Sequence, residues 1–365
     1  MLRVNSEILR ILDANVNRAV EGVRVLEETA RMLYNDSVLT SELKHLRHAV
    51  VRILAEKEDV GSRMILARDS GGDVLREGET YSERTRTDLS AVIRANARRA
   101  CEALRSLEEY GKLVDSGLSG QYKQVRFRLY DLEKSLVERA LRQELLSPRR
   151  LGVWVIIDRG ESGDLAEHIT ENAVGAGAGT VVFRDKVSND RMFLLHAERL
   201  ICACGGKDVT VLVNDRVDAA VMLGADGVVL GDDDAPLALA RSLVGGGMLV
   251  GRSGVWSESR PLGSAEGADF LLLTPGGVRR AFGEFIRNSP TPVVVCLDPN
   301  EGESSTMLDA GAGGISLYAE RYGPAELAEA VSRLRKEFEN RFKGTTFKLG
   351  GEGTTGAREA GKEID

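Results

Sequence analysis

Two rhythms of apolar and polar positions divide the chain. From residue 2 to 145 apolar residues recur at three- and four-residue spacing among abundant Leu, Glu and Arg, and no alternating run of strand type intervenes. That pattern predicts helices throughout. From 151 onward short β-branched runs alternate with helical segments. Strands are predicted at 151–157, 180–184, 210–213, 227–230, 248–251, 269–273, 292–297 and 314–318. Gly or Pro stands near most junctions, as expected of strand–helix punctuation. Strands alternating with helices imply right-handed parallel crossovers, and eight such units in so short a span predict a compact (β/α)8 barrel rather than an open sheet.

The chain is therefore predicted to be multidomain: an all-α bundle over 1–145, a linker over 146–150 and a TIM barrel over 151–342. Pro148 is expected to end the last long helix. The segment 343–365 is rich in Gly and charge and is expected to be disordered.

The helical half carries an internal repeat. ANVNRAVEGVRVLEE at 14–28 matches ANARRACEALRSLEE at 95–109 without a gap, and Lys44 and Arg47 pair with Lys123 and Arg126 in the helix after each copy. Each unit reads as a helical hairpin, and two hairpins give a four-helix bundle about an approximate two-fold axis. Asn15, Arg18 and Arg24 would then stand opposite Asn96, Arg99 and Arg105. Paired arginines could bind phosphate through both arms of the guanidinium. The same arginines could equally be structural partners of Glu21, Glu28, Glu102 and Glu109 at helical spacing. Between the copies, ARDSGGDV at 67–74 is a Gly- and Asp-rich loop, and Asp73 could bring a carboxylate to a metal or a phosphate.

In the second half the chemistry gathers at strand ends. The stretch 210–236 reads strand, acidic turn, helix, strand, acidic turn, with Asn214 and Asp215 in the first turn and Asp232, Asp233 and Asp234 in the second. Either turn alone suits a helix N-cap, for which Asp and Asn are preferred. Two such turns on one rim suit Mg2+ bound together with a substrate phosphate, which needs few protein carboxylates. Arg184, Asp185 and Lys186 end the second strand, Ser253 follows the fifth and Thr274 the sixth. Cations, carboxylates and hydroxyl donors together suit a diphosphate–magnesium substrate. A sugar-phosphate aldolase or isomerase using Lys186 as its base is the other reaction class these residues allow.

Composition narrows the partners. A formal net charge of −7 argues against a general nucleic-acid binder, and hydrophobic and charged contents of 42% and 29% are those of an ordinary soluble protein. No apolar run reaches membrane-spanning length, and residues 1–15 lack an apolar signal core. Cys101, Cys202, Cys204 and Cys296 have no zinc-like spacing and are expected to be buried, reduced thiols. A cytoplasmic enzyme of small molecules is the resulting expectation. The sequence leaves a homo-oligomer open.

These motifs carry two resemblances. The repeated AN-x-x-RA-x-E segments and ARDSGGDV resemble a helical domain fused upstream of some thiamine-phosphate synthases, a family assigned as a hydroxymethylpyrimidine-phosphate kinase unrelated to the ribokinase-like one. That resemblance implies ATP as a second substrate. The barrel resembles thiamine-phosphate synthase: the arginine–acidic–lysine motif at 184–186, NDRVD at 214–218 and GADGVVLGDDDAP at 224–236 match the family's motifs. It implies that Asp215 and Asp234 hold Mg2+ on a pyrimidine diphosphate, and that Arg184, Asn214 and Thr274 bind substrate. Lys186 and Ser253 would bind the diphosphate or assist its departure as the nitrogen of a thiazole phosphate attacks the pyrimidine-methyl carbon.

The barrel also departs from that family. Val182 stands where the family has Gln, Val229 where it has His and Asp232 where it has Gln. Gly254 and Val255 replace Thr or Cys and then His. The loop after the sixth strand is reduced to Thr274, Pro275, Gly276 and Gly277, and Leu297 and Asp298 stand in place of Gly-Gly. An acid at 298 would repel a phosphate seated after the seventh strand. A monofunctional pyrimidine-phosphate kinase with a non-catalytic or differently specific barrel is accordingly the alternative to a bifunctional enzyme. A non-enzymatic scaffold is the third reading.

Overall fold

The computed structural model describes residues 5–57, 60–68, 85–158, 166–258, 266–276, 279–297 and 303–342. The Gly- and Asp-rich loop from Asp69 through Asp73, the position of Asp298 and the segment 343–365 lie outside the described residues. The chain divides into two compact units, one within residues 1–140 and one beginning at Leu141.

The first unit is helical: α1 (Ser6–Glu28), α2 (Ser37–Ala55), a short α3 (Val60–Leu66), α4 (Leu89–Gly111) and α5 (Ser116–Leu145). Side chains of Asn5, Asp36 and Asp88 accept hydrogen bonds from the first-turn N–H groups of α1, α2 and α4, as N-caps do. Leu12, Val23, Leu26, Leu43, Leu104, Leu107, Leu129 and Leu136 are among the apolar side chains filling one core. The repeat has a buried counterpart in each hairpin. Glu27 on α1 accepts from Arg47 Nε of α2 at 2.7 Å, and Glu108 on α4 accepts from Arg126 of α5. Both glutamates are almost wholly buried. Burial alone would push the Glu108 carboxyl upward, yet its bonds to Arg126 and Arg105 hold it below the ordinary glutamate range. Partners are 20 residues apart in the first hairpin and 18 in the second. The first copy takes up its extra length in a π-helical turn at Thr29–Leu33 and a left-handed Asn35, φ 48°.

The second unit is a closed barrel of eight parallel strands in sequence order. They are β1 (Val153–Asp158), β2 (Thr180–Arg184), β3 (Thr210–Asn214), β4 (Gly227–Leu230), β5 (Leu249–Trp256), β6 (Phe270–Pro275), β7 (Val293–Cys296) and β8 (Gly314–Tyr318). The connecting helices are α6 (Ala166–Gly175), α7 (Asp190–Cys204), α8 (Val217–Leu223), α9 (Leu237–Val244), α10 (Arg279–Asn288), α11 (Ser304–Asp309) and α12 (Pro324–Phe342). Alternation along each strand sorts the two faces. Val153, Val155 and Ile157 pack outward against the helices, while Trp154 and Ile156 point into the barrel with Val182, Leu212, Val229, Leu249, Phe270, Leu272, Val294 and Cys296. Trp154 meets Phe270 edge to face at 4.9 Å. Gly251 makes room for that ring, because a Cβ there would lie 2.1 Å from Phe270.

Three expectations are corrected. Pro148 does not end the long helix, which closes at Leu145; it opens a short helix, Pro148–Leu151, and so β1 begins at Val153 instead of 151. Proline suits the first turn of a helix, where its missing N–H costs nothing. Strand β5 continues past Gly251 to Trp256, placing Ser253 inside a strand. Cys202 is exposed, on the outer side of α7, whereas Cys101, Cys204 and Cys296 are buried; all four are free thiols.

Two substitutions test these packings by thermal or denaturant melting of the whole chain. Gly251→Ala forces a methyl into the Phe270 ring and should destabilise the protein by about 1–3 kcal/mol. Glu108→Ala strands Arg126 beside an emptied, buried position and should cost about 3 kcal/mol. Unchanged melting in either variant would show that the corresponding contact is not tight in solution.

Candidate active site

The inward alternation continues to the carboxyl ends of the strands, and there it turns polar. Above Val182 comes Arg184, above Leu212 comes Asn214, above Gly251 comes Ser253 and above Leu272 comes Thr274. With Lys186, Asp215, Asp232, Asp233, Asp234, Cys296 and Tyr318 these residues line a cavity of about 400 Å³. Its volume falls within the range of small-molecule sites. All seven barrel positions singled out in the sequence thus converge on one site: Arg184, Lys186, Asn214, Asp215, Asp234, Ser253 and Thr274.

The acidic turns do different work. Asp215 adopts φ 67°, a left-handed conformation uncommon outside glycine, while its N–H still donates to Val229 O at 2.8 Å. That backbone turn faces its carboxylate toward Lys186, whose Nζ lies 2.9 Å from Oδ2. Asp234 folds back at the end of β4 to accept from Gly231 N at 2.7 Å and also meets Asp215. Burial, and then the neighbouring Asp234, push the Asp215 carboxyl above the ordinary aspartate range, with Lys186 pulling against them. Two carboxylates thus adjoin in a half-buried cleft, and one of them is paired with an ammonium. The donor set is short of positive charge, which a divalent cation would supply. Among the described residues no group of three or more His, Cys, Asp or Glu side chains forms a metal cage. Mg2+ fits that arrangement, since it commonly takes one or two carboxylates and completes its shell with water and substrate phosphate.

Other polar groups hold the frame. Arg184 pairs with Asp158 at the end of β1, a partner the sequence reading missed although β1 ends in an aspartate as β3 is followed by one. Asp185, the middle residue of the motif at 184–186, faces away from the cavity. It accepts from the N–H groups of Val187 and Ser188 at 3.0 and 2.9 Å and lies 3.5 Å from His196. Arg252 stands on the opposite face of β5 from Ser253. It is buried, donates to Gly231 O at 2.9 Å and pairs with Asp232. The Gly231 peptide is therefore held from both sides, its N–H by Asp234 and its carbonyl by Arg252. This pairing joins β5 to the loop after β4 and accounts for Asp232, which sequence spacing alone did not explain. Thr274, Ser316 and Tyr318 surround Cys296, whose thiol burial pushes up to about 11.

Two departures from the family pattern fall in the barrel interior. Val182 and Val229 belong to the apolar layer beneath the cavity, packed with Ile156, Leu212 and Leu272. They give the cavity an apolar floor. Gly254 and Val255 line the cavity on the β5 side.

In the helical unit the sequence-predicted residues separate. Asn15, Arg18 and Arg99 line one cavity of about 480 Å³ with Glu21 and Glu102. Asn96, Arg99 and Arg105 line a larger one on α4 and α5. Arg24 borders neither, and pairs with Glu28 at 2.9 Å and Glu27 at 3.4 Å. Arg105 likewise pairs with Glu108 and Glu109, at 2.7 and 2.9 Å. Asn15 and Asn96 donate to the carbonyls of Ile11 and Val92 four residues earlier. Arg24 and Arg105 thus follow the structural account, whereas Arg18 and Arg99 are exposed at cavity walls.

Comparison with known proteins bears on both units. A model of the ThiD2 family matches residues 10–135, and a model of thiamine monophosphate synthase matches 153–276, ending where the loop after β6 departs from the family pattern. The thiamine-phosphate synthase of Synechocystis sp. is 35% identical over 339 residues, covering 90% of this chain and 95% of the relative. That of Thermosynechococcus vestitus is 40% identical over 266 residues, 73% of each chain. Among solved structures, thiamine phosphate pyrophosphorylase from Pyrococcus furiosus matches at 24% identity and a TM-score of 0.45, covering 53% of this chain and 98% of that one. No helix among the described residues is long and apolar enough to cross a membrane.

The strain at position 215 gives a test that needs no substrate. Asp215→Gly relieves the left-handed backbone and removes one of two adjoining carboxylates, so it should raise stability by about 1 kcal/mol. A melting temperature at or below that of the parent would show that the aspartate is held there by its own contacts rather than against them.

Proposed function

The chain belongs to the thiamine-phosphate synthase family, and from that premise we propose which of its own residues carry the reaction. It is a transferase of thiamine biosynthesis that joins a pyrimidine diphosphate to a thiazole phosphate and releases pyrophosphate. The observation that carries the assignment of roles is the convergence of Asp215, Asp234 and Lys186 at the mouths of β2, β3 and β4.

In this reading Asp215 and Asp234 hold Mg2+, which when bound neutralises charge on the diphosphate. Lys186, 2.9 Å from Asp215, would place its ammonium on the diphosphate oxygens and stabilise the charge that gathers on the leaving group. Asn214 and Ser253 donate hydrogen bonds to the same group from the neighbouring strands. Arg184, steadied by Asp158, and Thr274 bind substrate across the cavity. The dry floor of Val182, Val229, Ile156 and Leu272 suits the flat pyrimidine ring and keeps water from the methylene carbon while its bond to the diphosphate oxygen breaks and the thiazole nitrogen takes its place. Positioning and charge stabilisation are then the protein's whole contribution.

The helical unit, by its match to the ThiD2 family, supports a second activity upstream of the first: phosphorylation of hydroxymethylpyrimidine phosphate by ATP to give the diphosphate that the barrel consumes.

Calorimetry on the full chain tests the barrel roles. Asp215→Ala and Asp234→Ala should each weaken magnesium-dependent binding of the pyrimidine diphosphate at least about 100-fold, in line with the cost of uncoupling a buried, charge-bearing contact. Binding equal to that of the parent in either variant would remove that residue from the metal site. For the second activity, the parent chain given ATP, Mg2+ and hydroxymethylpyrimidine phosphate should release ADP in proportion to the diphosphate formed. No ADP above the ATP-only control would end the kinase reading.

A further inference from the structure

The two hairpins of the helical unit are alike in their buried locks and unlike at one surface. A cleft of about 1560 Å³ opens on α4 and α5 of the second copy. Its walls carry Arg94, Arg98 and Arg99 on α4, with Tyr130 and Glu133 on α5. The equivalent positions of the first copy hold Asp13, Asn17, Arg18, Val51 and Leu54. Asp13 is buried and clamped by Arg68 at 2.6 Å, and Leu54 is core. Only Arg99 has kept its counterpart. The second copy has cations, a phenol and a carboxyl where the first has an acid, an amide and aliphatic side chains.

The arginines of the cleft sort by what already holds them. Arg126 and Arg105 are engaged by Glu108, a carboxylate with almost no exposure, and moving them would strand it. Arg98 pairs with Glu102 at 2.9 Å, but those side chains are 81% and 67% exposed, and a pair so open to water is easily exchanged for another anion. Arg94 is exposed and lies within the electrostatic reach of Glu133 and of the N-cap Asp88. Arg94 and Arg98 therefore form an exchangeable cationic pair, and the exposed Arg99 stands beside them on the cleft wall. Opposite it, Tyr130 is partly exposed, lies edge to face with Phe127 at 6.0 Å, and shares the Arg126 guanidinium with that ring. Glu133 is half-buried beside Arg94.

The geometry points to this cleft as the binding site of the helical unit for a phosphorylated, amino-substituted heteroaromatic ring, with Arg94, Arg98 and Arg99 on the phosphate, Tyr130 against the ring face and Glu133 accepting from the amino group. Arginine supplies planar, two-pronged donors for phosphate oxygens. A carboxylate at the edge of an aromatic platform accepts the N–H donors of an aminopyrimidine or an adenine, and those two rings share that edge chemistry. The volume exceeds the roughly 300–1,000 Å³ usual for one small ligand, leaving room for a phosphate donor and its acceptor together. The inference rests on the kinase reading of this unit and adds the location, which the repeat alone put on the two-fold axis. Here the site belongs to one copy.

The test uses the full chain and two probes, a non-hydrolysable ATP analogue with Mg2+ and hydroxymethylpyrimidine phosphate, followed by calorimetry and by ADP release with ATP. Arg94→Gln and Glu133→Gln should each weaken at least one probe tenfold or more, while melting temperature and thiamine phosphate formation from supplied diphosphate stay at the parent's level. Arg52→Gln, an exposed arginine on α2 of the first copy, should leave both probes unchanged. Loss confined to the ATP analogue assigns these residues to the nucleotide, and loss confined to the pyrimidine phosphate assigns them to the acceptor. A parent that turns over ATP while both variants bind both probes normally overturns the location and leaves the kinase reading standing. A parent that binds neither probe overturns both.

Discussion

A barrel of eight parallel strands closes on an interior only wide enough for side chains, and how that volume is shared decides where a ligand can go. Here the bulky residues sit low. Trp154 and Phe270 meet across the interior because Gly251 yields its side-chain space to the phenyl ring. Above them the layer of Val182, Leu212, Val229 and Leu272 is compact and dry. The next inward positions carry Arg184, Asn214, Ser253 and Thr274, which leave the 400 Å³ cavity above the plug. The site is the part of the interior the core does not fill, and its floor is set by the same residues that close the barrel.

Much of this was legible in the sequence because strand periodicity and chain order carry it. Eight β-branched runs at regular spacing gave the barrel, and residues just past the ends of parallel strands share a rim whatever the register between strands. Lys186, Asp215 and Asp234 could therefore be grouped from spacing alone. What spacing does not carry is pairing across strands. The bond of Arg252 to Gly231 and Asp232 joins β5 to the loop after β4, and neither residue has a periodic reason to find the other. Arg184 and Asp158 present the same difficulty. Boundaries failed where a residue has two readings: Pro148 stops one helix pattern but is equally at home starting the next. Cys202 and Cys204 lie two apart on α7, so a helix that buries one turns the other outward.

In the helical unit the repeat was visible and its meaning was not. Matched polar residues suggested matched roles about an axis, but contacts divide them. Glu27 with Arg47 and Glu108 with Arg126 are equivalent, buried and structural. The other polar positions have gone separate ways, as the buried Asp13 with Arg68 shows against the exposed Arg94. A sequence repeat reports common ancestry of fold more directly than common chemistry, since buried pairs are expensive to change and exposed ones are not.

Among the described residues, each buried glutamate is met by an arginine from the second helix of its own hairpin. A chain consisting of one such hairpin would carry its own lock and could bury its remaining apolar face only against a second molecule, as a symmetric dimer. Every surface feature of that dimer would occur twice, and no substitution could improve one face without altering the other. Tethering the halves in a single chain lifts that symmetry: one hairpin becomes free to accumulate charge while its twin retains aliphatic side chains and supplies rigidity.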